Sequence, residues 1–349
     1  MHKKKTAPQA AKSSKRIKKI ATIIVVGGMV LIFLFDIAVN FRAARLEKRF
    51  PLEEAFDFIG DGGSRIHFLD TGNSDCILLE SRGRFALIDS GWGSENPVEA
   101  SRRPGYEQRV LAYLKRVAAK DGAVTLDFVL PTHYHYDHAG GFPGILADPA
   151  VTVKNVFLRP LNRANHLYYE RNWDLAATRA RMEETAKARG FPITEELPEE
   201  LTLGDMALRL LNLDSYENPR LKGENDNSVV ALVTVHGRTA LLTGDITALS
   251  GLEGQIARQV KDITGAGVDL LKLPHHGYAM SSSARFLRAL RPPLVIVTND
   301  LGKIYPNVKW NLALVSRSTT ISCVHEKGVV VTFLSDGRLY LRKGVNLAI

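Results

Sequence analysis

The 349-residue chain is 45% hydrophobic with a formal charge of +9, and it is long enough to bury one large core behind an N-terminal appendage. Eight cations and no acid lie in the first nineteen residues (Lys3, Lys4, Lys5, Lys12, Lys15, Arg16, Lys18, Lys19), and beyond Arg49 cations and acids balance to within one charge. A generally basic body that grips nucleic acid by neutralising phosphates is therefore not supported for the globular part, although a local basic groove stays open.

In chain order, residues 1–19 read as a basic cytoplasmic tail. Ile20 to Phe35 carries no charge, and Ile37-Ala38-Val39 extends the apolar run past Asp36. About twenty residues at 1.5 Å each cover the ~30 Å hydrocarbon core, so 20–40 is predicted as a transmembrane signal anchor. Eight cations before the span and four after it place the N-terminus in the cytoplasm and the rest of the chain outside. The alternative, a cleaved signal peptide, has only Ala38-Val39-Asn40 as a weak cleavage site. Residues 41–62 read as a charged stalk, and 63–349 as one domain.

Within that domain, strands are predicted at 65–70, 76–80 and 84–89, followed by a helix from Tyr106 to Ala119 with Val110, Leu111, Leu114 and Val117 at helical spacing. Further strands are expected at 126–130 and 153–158, and a charge-rich helix over 165–190, ending at Gly190 and placed near the mouth of a site. The second half repeats the style. Strands fall at 206–213, 228–235, 239–245, 269–276, 293–299, 320–324, 329–334 and 338–342, with helices near 252–263, 283–290 and 308–316. Two β-rich halves with helices imply an α+β fold of two sheets packed face to face with helices outside. Cys76, in an apolar run, reads as a buried small hydrophobe; a Cys76–Cys323 disulfide is left open, and no CxxC pair exists.

The chemistry concentrates where the 126–130 strand ends. His133, His135, Asp137 and His138 form an HxHxDH run before Gly140-Gly141. Three imidazoles and a carboxylate on a loop at a strand end are the N/O donors that Zn²⁺ and similar ions take. Two later strands end in the same style, one in Thr243-Gly244-Asp245 and one in Pro274-His275-His276-Gly277. Each is weak alone; in this order with HxHxDH they are strong.

On these residues the sequence resembles the metallo-β-lactamase superfamily. It is most similar to the hydrolase domain of the ComEC/Rec2-type competence proteins and their stand-alone relatives, over about residues 64–342. The segment from Ile66 to Asp75 resembles that group's FLDVGQGD opening, Ala86 to Gly91 its LIDTG, and Asn225 to Val230 its Asn-rich segment. The resemblance implies an αββα sandwich behind one N-terminal transmembrane helix, with two divalent ions at the sheet edge, Zn²⁺ first and Mn²⁺ also compatible. By that resemblance His133 and His135 bind one ion, and Asp137 and His138 the other. Asp245 bridges, and His275 or His276 completes the ligand set of the second ion, with His275 preferred. Asp137 and Asp245 are the candidate catalytic carboxylates; Asp75, Asp89 and Asn225 stand behind the ligands.

The sequence departs from the superfamily in three places. No histidine precedes Asp245 where many relatives supply a third imidazole, so Asn225, Asp226 or water is left to fill that position. His166 and His236 read as surface residues. The group's HHGS and GHP become His276-Gly277-Tyr278 and Ile304-Tyr305-Pro306, while Ser281, Ser282 and Ser283 read as helix capping, with an anion contact as the alternative. The implied function is a metal-dependent hydrolase, foremost a phosphodiesterase or other phosphoesterase acting outside the cytoplasm through water made acidic by two metal ions. A lactone or amide hydrolase and a non-catalytic metal-binding surface module are the alternatives. The membrane and a phosphoester-bearing substrate are the expected partners; the residues that bind the substrate are not specified.

Overall fold

The computed structural model describes residues 7–46, 63–94, 105–162, 173–218, 223–316 and 318–345. Two large sheets carry the architecture. The first runs, in spatial order, Leu339–Lys343, Val329–Phe333, Ser64–Phe68, Ile77–Ser81, Arg84–Ile88, Phe128–Leu130, Val156–Phe157 and Ile193–Thr194. The second runs Glu200–Leu203, Met206–Leu211, Val230–Val235, Arg238–Leu242, Leu270–Lys272, Leu294–Val297 and Thr319–Ser322. Each sheet is antiparallel in one half and parallel in the other, the change falling at Arg84–Ile88 with Phe128–Leu130 and at Arg238–Leu242 with Leu270–Lys272.

Strand periodicity explains the layering. Ile66 and Phe68, Ile77 and Leu79, and Ala86 and Ile88 point between the sheets, where they meet Leu208, Leu210, Val233, Leu242 and Ile296. The alternate residues Leu78 and Leu87 point outward under helices. Both faces are buried, so the strands read as near-continuous apolar runs. The helices are α1 (Ala7–Leu46), α2 (Glu107–Val117), α3 (Tyr136–Ala139), α4 (Phe142–Ala147), α5 (Leu175–Ala188), α6 (Leu252–Thr264), α7 (Ala284–Leu290) and α8 (Pro306–Trp310). Val110 and Leu114 of α2, Ile145 and Leu146 of α4 and Met182 of α5 cover the first sheet. Ile256 and Val260 of α6, Phe286 and Leu290 of α7 and Val308 of α8 cover the second. Each such side chain contributes roughly 1.5–3 kcal/mol by leaving water. The result is the expected αββα sandwich.

Several expected boundaries move. The predicted span lies inside one longer helix: α1 takes in part of the basic tail and the start of the stalk, and 47–62 lies outside the described residues. The 126–130 strand is two strands in different sheets. Ala123–Leu126 pairs with Val151–Val153 in a small third sheet, and Phe128–Leu130 enters the first large one. Asp127 sits at the break because its carboxylate meets Arg84 and Lys154 at the surface. The same break divides the 153–158 run. The charge-rich helix starts at Leu175, with 163–172 outside the described residues. The helix expected at 308–316 is α8 followed by a π-helical turn, Asn311–Ser316. Cys76 and Cys323 are buried free thiols.

Candidate metal centre

The carboxyl ends of the parallel strands from both sheets meet at one edge, the place where open α/β sheets usually hold ligands. Arg84–Ile88 delivers Asp89, which sits in the left-handed region at φ 56°. Its carboxylate accepts Thr132 N at 2.6 Å and Thr132 Oγ1 at 2.8 Å, and lies 2.8 Å from His138 Nδ1. Asp89 therefore fixes both the start of the HxHxDH loop and its last ring. His135 is still extended, and α3 begins at Tyr136, so Asp137 and His138 sit on its first turn. Gly140 and Gly141 let that turn lie against the 90–93 loop: a Cβ on Gly141 would be 2.6 Å from Ser90 O.

The second sheet supplies the opposing wall. Asp245 follows Gly244, whose φ of +52° and contact with Ser228 suit glycine. Ser228 Oγ accepts Asp245 N at 2.9 Å and lies 3.3 Å from His133 Nδ1, joining the two walls. His275 and His276 both adopt left-handed backbone, at φ 49° and 51°, a strained pairing of the kind that marks functional turns. The turn points the rings differently. His276 is fully buried; its Nε2 lies 3.3 Å from Asp245 Oδ2, 3.5 Å from Asp137 Oδ2 and 3.1 Å from His138 Nε2. Thr298 Oγ1 holds its Nδ1 at 2.9 Å. His275 Nε2 lies 4.0 Å from Asp245 and 3.2 Å from Asn225 Nδ2, on a side chain 24% exposed. The turn thus brings His276, and not the expected His275, into the cluster of Asp75, His138 and Asp245.

Charge is the dominant feature. Asp75, Asp89, Asp137 and Asp245 are buried together, and Lys272, buried with them, is 2.5 Å from Asp75 and 3.4 Å from Asp245. Four carboxylates against this one ammonium leave a deficit of positive charge. Two imidazoles respond. Burial opposes a charge on His138, yet Asp245, Asp89 and Asp137 outweigh it and hold its pKa at about 10. His276 is likewise raised well above the usual range by Asp245 and Asp75 against burial. Asp245, although burial alone would raise it, is held well below the carboxylate range by His138, His276 and Lys272. By contrast, burial and His138 push His133 far down, and burial lowers His275 to about 4.

One donor atom from each of Asp75, His138, Asp245 and His276 falls within 4.8 Å of all the others. Asp137 Oδ1 is buried with no hydrogen-bond partner. An anionic pocket with converging imidazole nitrogens and an unused carboxylate oxygen fits divalent cations. Of the residues expected to act, the HxHxDH loop, Asp245 and His276 come together here. Asp75, expected behind the ligands, reaches into the same cluster, whereas Asp89 stays behind His138. Asn225 touches His275, and Asp226 turns away to accept Thr247 N at 2.8 Å. Ser283 caps α7 and Glu253 binds the N–H groups of Ser282 and Ser283, so the serine run serves capping. His236 lies in the turn between two strands of the second sheet, away from the cluster, and His166 lies outside the described residues.

Lys272, Ser228, Thr298, Glu224 and Trp173 were not legible as site residues. Glu224 is buried and accepts Tyr134 N at 3.0 Å and Arg159 Nη2 at 3.1 Å, pinning the HxHxDH loop from the second sheet. Trp173 lies 4.4 Å from the His135 ring and stacks on Trp92 at 6.1 Å. Only the Lys272-Leu273-Pro274 run ahead of His275 carried a local hint.

A family model described as "Metallo-beta-lactamase superfamily" matches residues 69–298. The chain is similar to Recombination protein 2 of Haemophilus influenzae, with 26% identity over 249 residues, 71% of this chain and 24% of that protein. It is also similar to ComE operon protein 3 of Bacillus subtilis, with 24% identity over 242 residues, 67% of this chain and 28% of that protein. The chain thus spans about a quarter of the length of these relatives, which are of the ComEC/Rec2 type that its motifs resemble. Among solved structures, the metallo-beta-lactamase fold protein YhfI from Bacillus subtilis aligns with 13% identity and a TM-score of 0.46, covering 75% of this chain and 96% of that one.

Proposed function

The chain belongs to the metallo-beta-lactamase superfamily, and on that footing we propose that it is a membrane-anchored phosphodiesterase working outside the cytoplasm. The observation that carries the reading is the junction at Asp245. It is an oxygen-donor position, aspartate where lactamases have cysteine, and it is reached at once by His138 and His276. His133 and His135 would hold one divalent cation, Asp137, His138 and His276 the other, and Asp245 both. When bound, such a pair supplies Lewis-acid charge and lowers the pKa of water toward neutrality.

The chain's own residues do the rest. Asp89 accepts the Nδ1–H of His138, which selects the tautomer whose Nε2 faces the pocket. Thr298 holds His276 Nδ1 in the same way. Lys272 keeps Asp75 and Asp245 ionised and bonds Gly244 O at 2.9 Å, so Asp245 cannot swing out. Trp173 packs its ring against that of His135. An eighteen-residue window within Lys15–Ala38, with mean hydropathy 2.6 and nothing of it buried, supports a membrane span, and the basic residues at and before its start support an N-terminus in the cytoplasm.

The test is metal content and hydrolysis of bis(p-nitrophenyl) phosphate by the full chain in detergent, beside a His135→Ala/Asp137→Ala variant. We expect about two ions in the wild type with Zn²⁺ or Mn²⁺ supporting turnover, and a loss of at least ~100-fold in the variant, given two lost ligands. Metal without diester cleavage would move the reading to carbonyl substrates. A protein that holds no metal under replete conditions would end it.

A further inference from the structure

The outer end of α1 is packed against the catalytic domain, and at one particular face. The Phe35 ring meets Trp310 edge-on at 5.0 Å. Beside this contact a cleft of about 530 Å³ separates Met29, Ile32 and Phe33 of α1 from Lys303, Tyr305 and Lys309. From Met29 to Asp36 is about 10 Å of helix at 1.5 Å per residue. If Asp36 marks the outer boundary of the span, α8 and the π-helical turn after it lie at headgroup level, reaching into the upper acyl region.

The side chains there suit that position. Lys303 is exposed, Tyr305 is 45% and Leu314 48% exposed, and Trp310 is half-buried against α1. Aromatic rings with lysines are the usual composition at a bilayer interface, and the two lysines complement anionic headgroups. The same face leads directly to the candidate centre. The Tyr305 ring is 6.2 Å from Tyr278, and Tyr278 is 5.5 Å from His275 and 6.2 Å from His276. Asn73, in the loop that leads to Asp75, donates to the Tyr278 hydroxyl at 2.9 Å. On adjoining loops, Leu249 and Met280 are 73% and 58% exposed, and Ala248 N bonds Met280 O at 2.7 Å.

We propose that the Lys303–Leu314 face docks on the anionic headgroups of the bilayer that α1 crosses, and that the site cleaves a phosphodiester borne by a membrane lipid. The proposal rests on the phosphodiesterase and membrane-span readings above and adds the substrate class. Hydrolysis would add water across one P–O ester bond, leaving a phosphomonoester on one product and a free alcohol on the other. The occupant of the face is lipid because the face is continuous with the span itself and carries Lys303 and Lys309 at that level.

The experiment uses the full chain in vesicles of phosphatidylcholine with about 30 mol% phosphatidylglycerol, a fraction chosen to give a strongly anionic surface. A nitrobenzoxadiazole label at Leu314→Cys is compared with one at Asp121→Cys in an exposed turn; the native cysteines are buried and stay unlabelled. Brominated lipid should quench the label at position 314 and not that at 121. Quenching at 314 only by aqueous iodide, or protection by a second copy of the chain in pure phosphatidylcholine, would overturn the docking. In parallel, Lys303→Glu/Lys309→Glu should lower phosphatidylglycerol hydrolysis at least tenfold and leave bis(p-nitrophenyl) phosphate hydrolysis unchanged. Equal rates on lipid for variant and wild type, or a wild type that cuts only the soluble diester, would overturn the lipid substrate. A wild type inert on both would sink the phosphodiesterase reading instead, while the quenching result would still decide the docking.

Discussion

On one side of Asp245, His138 and His276 are surrounded by Asp75, Asp89 and Asp137 with Lys272 among them; on the other, His133 meets the Thr132 and Ser228 hydroxyls and the His135 ring, which packs against Trp173. The anion-rich side carries two imidazoles that hold protons far above their ordinary range, and the other side has imidazoles pushed below theirs. Both sets of histidines are buried, so burial does not make the difference. Carboxylate supply does, and it sets the expectation that the two cation positions differ in affinity: tight beside His138 and weak beside His133.

The largest effect should come from Lys272→Met. In the metal-free protein it strips the ammonium from Asp75 and Asp245, and breaking a buried pair costs about 3–5 kcal/mol. Urea unfolding should show that loss, and a large part of it should vanish once divalent ions are loaded. Equal losses with and without metal would mean that Lys272 serves packing alone.

Next in size is the contrast between His138→Ala and His135→Ala in a chelator titration. Removing His138 should weaken retention of the tight ion about 100-fold, whereas removing His135 should cost the weak ion about tenfold and leave one ion bound. If the two variants lose metal alike, the asymmetry is wrong.

The smallest effect is on pH. In the metal-free fold His138 titrates at about 10 against about 6.5 in the unfolded chain. Its stabilisation is complete below pH 6.5 and is lost as pH rises toward 10. The melting temperature of the metal-free protein should therefore fall between pH 7 and 10. Metal affinity should rise over the same interval, because the ions compete with those protons. A flat metal-free profile would remove the electrostatic basis of the comparison.

What could be read from sequence followed the range over which each signal acts. HxHxDH, Asp245 and the paired histidines were legible because a strand end and its turn place them locally. Lys272 was not, since its partner Asp75 is brought to it only by the packing of the two sheets. Glu224 and Thr298 escaped for the same reason: each supports a residue on a different strand connection. The inward turn of His276 depends on two successive left-handed residues, and glycine, the usual marker of such backbone, follows only at Gly277. The break at Asp127 was hidden because an apolar run on either side of one acid reads as a single strand.

The donors that meet at Asp245 are drawn from residues 75 to 276, from both sheets and from several strand ends. No contiguous half of the chain can assemble them. A nascent chain emerging N-terminus first presents HxHxDH long before the aspartate and histidine that close the pocket, so full capture of the ions belongs to the last stage of assembly. Under the proposed topology, with the domain delivered across a bilayer, that timing would make the metals drawn from the destination compartment the ones that complete the protein.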